Sequence, residues 1–146
     1  MAAPVPGFDS ADPAIPVAGQ VRCAMEDFVR AAGARRSLPA VLHLGVPGGE
    51  HATLPDAPGH DAGLRVDLVV RALDGLACAA PLAWVSRSGP LAATDVDLAW
   101  LAACRHAFAR HSLPLTGFYL VTRRGWADLL GDARHRWSRV RPRPQA

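Results

Sequence analysis

The chain contains no lysine, no asparagine and a single isoleucine, Ile15, so all 16 of its basic side chains are arginine. Without lysine there is no P-loop phosphate clamp, no Schiff-base nucleophile and no Ser-Lys dyad. Without asparagine there is no N-glycosylation acceptor and no Cys-His-Asn triad. Long apolar runs are missing too: no stretch approaches the roughly 18 uninterrupted apolar residues of a membrane span. Met1 to Val17 lacks the basic and apolar regions of a secretory signal, so we expect neither export nor a membrane partner. Cysteine is scarce, and the three present (Cys23, Cys78, Cys104) are far apart and set among apolar neighbours. That excludes a disulfide framework and points to reduced thiols in the cytoplasm. The skew toward Ala, Arg, Gly and Pro reads as a G+C-rich codon bias.

What remains is an ordinary soluble composition: 146 residues, 50% apolar, 20% charged, formal net charge +3. A chain of this size buries about two thirds of its unfolded surface, so its core needs no metal or disulfide, and we expect no cofactor. Residues 1–16 carry Pro4, Pro6, Pro13 and Pro16 and read as an arm. Residues 17–132 read as one domain and residues 133–146 as a basic tail. From Val17, apolar residues at Val21, Met25, Phe28 and Ala32 recur with helical spacing up to Gly33. Ala40 to Val46 is a short apolar run closed by Pro47-Gly48-Gly49, a strand and turn, and His51 to Leu54 is a weaker strand. Asp67, Arg71 and Asp74 lie on one side of an amphipathic helix over 64–78. A buried strand follows at 81–86, a helix from Thr94 to about His111, a strand at 117–122 and a second one carrying Trp126. The class is α/β, helix and strand mixed, without internal repeats.

The segment Trp84-Val85-Ser86-Arg87-Ser88-Gly89, then Thr94-Asp95-Val96-Asp97, the helix, Leu113-Pro114-Leu115, Phe118 to Val121 and Gly125-Trp126 resembles the JAB/MPN family, most closely its RadC-like branch. In that branch a strand delivers His-x-His-Pro-Ser-Gly, and Ser-x-x-Asp heads the next helix. Setting Asp97 on the family's Asp puts Thr94 on its Ser and Ser88-Gly89 on its Ser-Gly without a gap. The resemblance covers about 60 residues well, and the first 60 only as an order of strands. It implies a three-layer, cytidine-deaminase-like fold, a mixed sheet flanked by helices.

The same alignment removes the family's chemistry. Its two zinc-binding histidines fall on Trp84 and Ser86: an indole N–H only donates, and a neutral hydroxyl is a poor zinc ligand. The remnant site is thus Trp84, Ser86, Ser88, Thr94 and Asp97, with no catalytic residue and no metal ligand assigned. Thr94-x-x-Asp97 also reads as a helix-capping pair, Trp84 as core, and Ser86 and Arg87 as a solvated strand end. His43, His51 and Glu50 flank the Gly48-Gly49 turn and, with Asp97, are the residues from which zinc ligands would have to be rebuilt. No serine sits in a nucleophile-elbow motif, and no glycine-rich phosphate loop follows a strand.

From Val121 to Ala146 there are seven arginines against Asp128 and Asp132, a local net of 7 − 2 = +5, with Trp126 and Trp137 interleaved. Arg134, Arg136, Trp137, Arg139 and Arg141 are the candidate nucleic-acid contacts. The expected function is a non-catalytic JAB-like binding module with a protein partner. The alternatives are a metal-dependent hydrolase with relocated ligands and a nucleic-acid binder acting through the C-terminus.

Overall fold

A computed structural model of the protein describes residues 14–136. Residues 1–13 and 137–146 lie outside the described range, and with them most of the expected arm and of the basic tail. The first helix, α1 (Ala14–Ala32), starts three residues earlier than its apolar spacing suggests. Pro16 falls in its first turn, where a missing N–H breaks no helical bond. Gly33 ends it in the left-handed region (φ 56°), with its N–H on the Val29 carbonyl.

Strands β1 (Val41–Gly45) and β2 (His51–Pro55) form a hairpin, followed by α2 (Ala62–Asp74), which Asp61 caps by accepting the Leu64 N–H at 2.7 Å. This helix stops at Gly75 instead of running to residue 78: its last turn tightens, with the Gly75 N–H shared between the Arg71 and Ala72 carbonyls and the Leu76 N–H on Leu73, and glycine is a poor residue to continue a helix. The chain continues through β3 (Leu82–Ser86), α3 (Asp95–Arg110), β4 (Phe118–Thr122) and β5 (Gly125–Asp128). The expected tail begins with a further strand, β6 (Arg134–Arg136), antiparallel to β5.

The class is mixed α/β, and the described residues form three helices and one six-stranded sheet in the order β2-β1-β3-β4-β5-β6. Only the β3–β4 pair is parallel; the crossover between them is α3. Strand alternation divides the side chains. Leu42, Leu44, Ala83, Val85 and Phe118 face α2 and α3 and form the larger core with Val69, Trp100, Cys104 and Phe108. Trp84, Tyr119, Val121 and Trp126 face the other way and pack against Val21, Ala24 and Met25 of α1. Helix α1 packs chiefly over β4 and β5, and toward β1 and β2 a cavity separates it from the sheet. No described helix is long and apolar enough to cross a membrane.

Candidate functional site

The antiparallel register of β1 and β3 sets His43 opposite Trp84, and both side chains point to the α1 side. Their rings stack at 5.1 Å between centroids with 5° between planes. His51, on β2 and two register positions from His43's own partner Thr53, closes the cluster, 5.3 Å from the His43 ring and 5.2 Å from Trp84. His51 Nδ1 lies 2.9 Å from the Gly49 carbonyl. A carbonyl only accepts, so Nδ1 carries the proton and, in the neutral ring, Nε2 is left as an acceptor. Ser86 stands diagonally across from His43, its Oγ 2.8 Å from Nε2.

These four side chains form the floor of a cavity of about 380 Å³ roofed by Ala24, Phe28, Ala31 and Ala32 of α1. Asp27, Arg35, Leu38, Pro39 and Val41 complete the wall. Burial, and to a lesser degree the neighbouring His51, pulls the His43 pKa from 6.5 down to about 4, so the ring is neutral at physiological pH. Its Nδ1 is buried with no hydrogen-bond partner among the described residues. The Ser86–His43 pair has the spacing of a nucleophile and its base, but among the described residues no group orients Nδ1, and a base with a pKa near 4 is a weak proton acceptor at pH 7.

Ser88, Thr94 and Asp97, expected to belong to the same site, instead form a separate, closed network with Arg87. Arg87 and Ser86 are each 6% exposed, so the expected solvated strand end is instead buried. The Arg87 guanidinium places Nε at 3.0 and 3.2 Å from the two Asp97 carboxylate oxygens and Nη2 at 2.8 Å from Oδ2. Its other donors reach the carbonyls of Ser88, Pro90 and Ala92. All five N–H groups are thereby used. Asp97 is fully buried and also completes the capping box with Thr94, accepting the Thr94 N–H at 2.9 Å while Thr94 Oγ1 accepts the Asp97 N–H. Ser88 ties this loop to Leu38 in both directions, accepting the Leu38 N–H and donating to its carbonyl.

The five residues expected to share one site therefore divide: Trp84 and Ser86 line the cavity, whereas Ser88, Thr94 and Asp97 secure the loop that follows β3. His43 and His51 come together, as their flanking of one turn suggests. Asp97 does not join them, and among the described residues no three His, Cys, Asp or Glu side chains are arranged to hold a metal ion. Glu50 is exposed, at 3.5 Å from the Ala77 N–H. Trp84, Ser86 and Asp97 do not offer a zinc ligand set: an indole N–H only donates, a neutral hydroxyl is a poor ligand, and the carboxylate is engaged by a guanidinium.

Arg134 and Arg136 are exposed on one side of β6, and His135 on its other side stacks on Trp126 at 6.4 Å. Trp137, Arg139 and Arg141 lie outside the described residues. Cys104 is buried, which pushes its thiol pKa well up and leaves it unreactive.

Sequence reasoning missed the pairing of His43 with Ser86, the partnership of Arg87 with Asp97, and the contribution of Phe28 and Arg35 to the cavity. A signal was present in single polar residues, His43 and Ser86, interrupting apolar strands. Comparison of the chain with protein-family models, with curated proteins and with solved structures gives no match.

Proposed function

We propose that this is a JAB-like domain, closest to the RadC branch, that acts in the cytosol as a binding module and not as a metallohydrolase. The element order helix, two strands, helix, strand, helix, strand, strand and the run from Trp84 to Trp126 support the scaffold. The observation that carries the functional reading is the Arg87–Asp97 pair. In the family the Asp answers a metal cation; here it answers a guanidinium supplied by the same chain. The space on the other side of β3, beside Trp84 and Ser86, is a mainly apolar cavity suited to non-covalent binding.

The metal content of the purified full-length protein is the test. Zinc well below stoichiometric amounts, and a melting temperature indifferent to a chelator, agree with the reading. Stoichiometric zinc that disappears in Asp97→Ala would overturn it in favour of a hydrolase with relocated ligands.

The two exposed arginines on one side of β6, continuous in sequence with Arg139 and Arg141, support a second reading, contact with nucleic acid. It predicts oligonucleotide binding that weakens steeply between low and physiological salt. Absent or salt-insensitive binding removes it.

A further inference from the structure

We propose that the cavity between α1 and the β1–β2–β3 floor is a binding site for a small aromatic monocarboxylate. The ring would lie against Phe28, Ala31, Leu38 and Trp84, and the carboxylate would meet Arg35 at the mouth. This rests on the binding-module reading and names the ligand class for it.

Shape is the first argument. The cavity exists because one helix covers only part of the sheet face, and its volume of about 380 Å³ is at the small end of ligand sites. One or two fused rings fill such a space, whereas a nucleotide or a folded peptide does not. Apolar and aromatic side chains dominate its wall, so most of the ligand must be apolar, and a flat ring gains most beside Trp84.

Charge is the second argument. Asp27 reaches the cavity but is paired with Arg30 at 3.2 Å. His43, on the floor, is neutral. Arg35 has no carboxylate partner among the described residues, and its guanidinium is protonated at any physiological pH. Its backbone is held in place, since the Arg35 carbonyl accepts from the Arg123 guanidinium. The uncompensated charge at the mouth is positive, and its forked donors match a carboxylate.

The experiment is calorimetric titration of the full-length protein at neutral pH with 2-naphthoate, 2-naphthalenemethanol and 2-naphthylmethylamine. The acid should bind with 1:1 stoichiometry, about five- to tenfold more tightly than the alcohol, and the amine most weakly. Arg35→Gln should remove the preference for the acid without changing the affinity for the alcohol. Ala31→Trp, an exposed position on α1 that fills the entrance, should abolish binding of all three while far-UV circular dichroism stays native. Equal affinities for acid and alcohol, an unaffected Arg35→Gln variant, or no binding by any probe each overturn the proposal. The zinc measurement separates the two claims. A zinc-free protein that ignores naphthoate loses only this ligand class, whereas zinc dependent on Asp97 defeats the binding-module reading whatever naphthoate does.

Discussion

Arg87 and Asp97, ten residues apart and 7% and 0% exposed in their side chains, hold each other at 2.8 Å beneath the loop that joins β3 to α3. Among the described residues each is the other's charge partner, and an isolated charge in that position would lose its hydration with only neutral hydrogen bonds in return. Asp97→Ala should therefore destabilise the fold by about 3–5 kcal/mol. Arg87→Lys should not be conservative, since an ammonium offers three donors where five are in use. Urea unfolding measures both. A loss under 1 kcal/mol for Asp97→Ala would show that the pair is not what secures the loop.

The neutral His43 ring makes stability depend on pH. Its folded pKa of about 4 lies below the unfolded value of 6.5, so between these values the unfolded chain binds more protons. The contribution is fully present above pH 6.5 and is lost as the pH falls toward 4. It amounts to a few kcal/mol at most, on the order of 3. His43→Phe should flatten the stability profile in this window, and NMR titration of the ring should show it uncharged at pH 6. A ring half-protonated near pH 6.5 would contradict this account.

Ser86 is a hydrogen-bond partner of His43, and the binding-module reading gives it no nucleophilic role. Ser86→Ala leaves both His43 nitrogens without partners and should cost about 1–3 kcal/mol. A fluorophosphonate probe should leave Ser86 unmodified by intact-mass spectrometry, because among the described residues no group orients the imidazole and its basicity is low. Labelling that depends on His43 is the result that would reassign the pair to catalysis.

Gly125 opens β5 at φ 147°, and a Cβ there would collide with the His135 carbonyl of β6. Gly125→Ala should cost about 1–3 kcal/mol and expose the C-terminal strand. Limited proteolysis near residues 129–136 and a lowered melting temperature are the expected readouts, and an unchanged cleavage pattern would refute the close approach.

Much of the fold was legible because it follows from local periodicity. The apolar spacing of Val21, Met25 and Phe28, the closing Pro47-Gly48-Gly49 turn and the Thr94-x-x-Asp97 cap each specify their own element within a few residues. β6 was not legible: Arg134-His135-Arg136 carries no strand signal, and its pairing depends on the absence of a side chain at Gly125. The site was half legible. His43 and His51 flank one turn, so their proximity could be expected, whereas Ser86 reaches His43 only through the β1–β3 pairing, a contact between residues 43 positions apart. Arg87 was misread because a charged residue at a strand end is usually solvated; the carbonyls of Ser88, Pro90 and Ala92 that bury it come from the fold of the loop.

The single parallel pair in the sheet has a mechanical consequence. Strands β2-β1-β3 form one antiparallel block and β4-β5-β6 another, and the two meet only along the β3–β4 seam within the sheet. The floor of the cavity, His43, His51, Trp84 and Ser86, belongs to the first block. The helix that roofs it packs across the seam, its Val21, Ala24 and Met25 meeting Trp84 of the first block and Tyr119, Val121 and Trp126 of the second. One helix thus clamps both blocks, so the width of the cavity depends on how the two halves of the sheet are seated on each other.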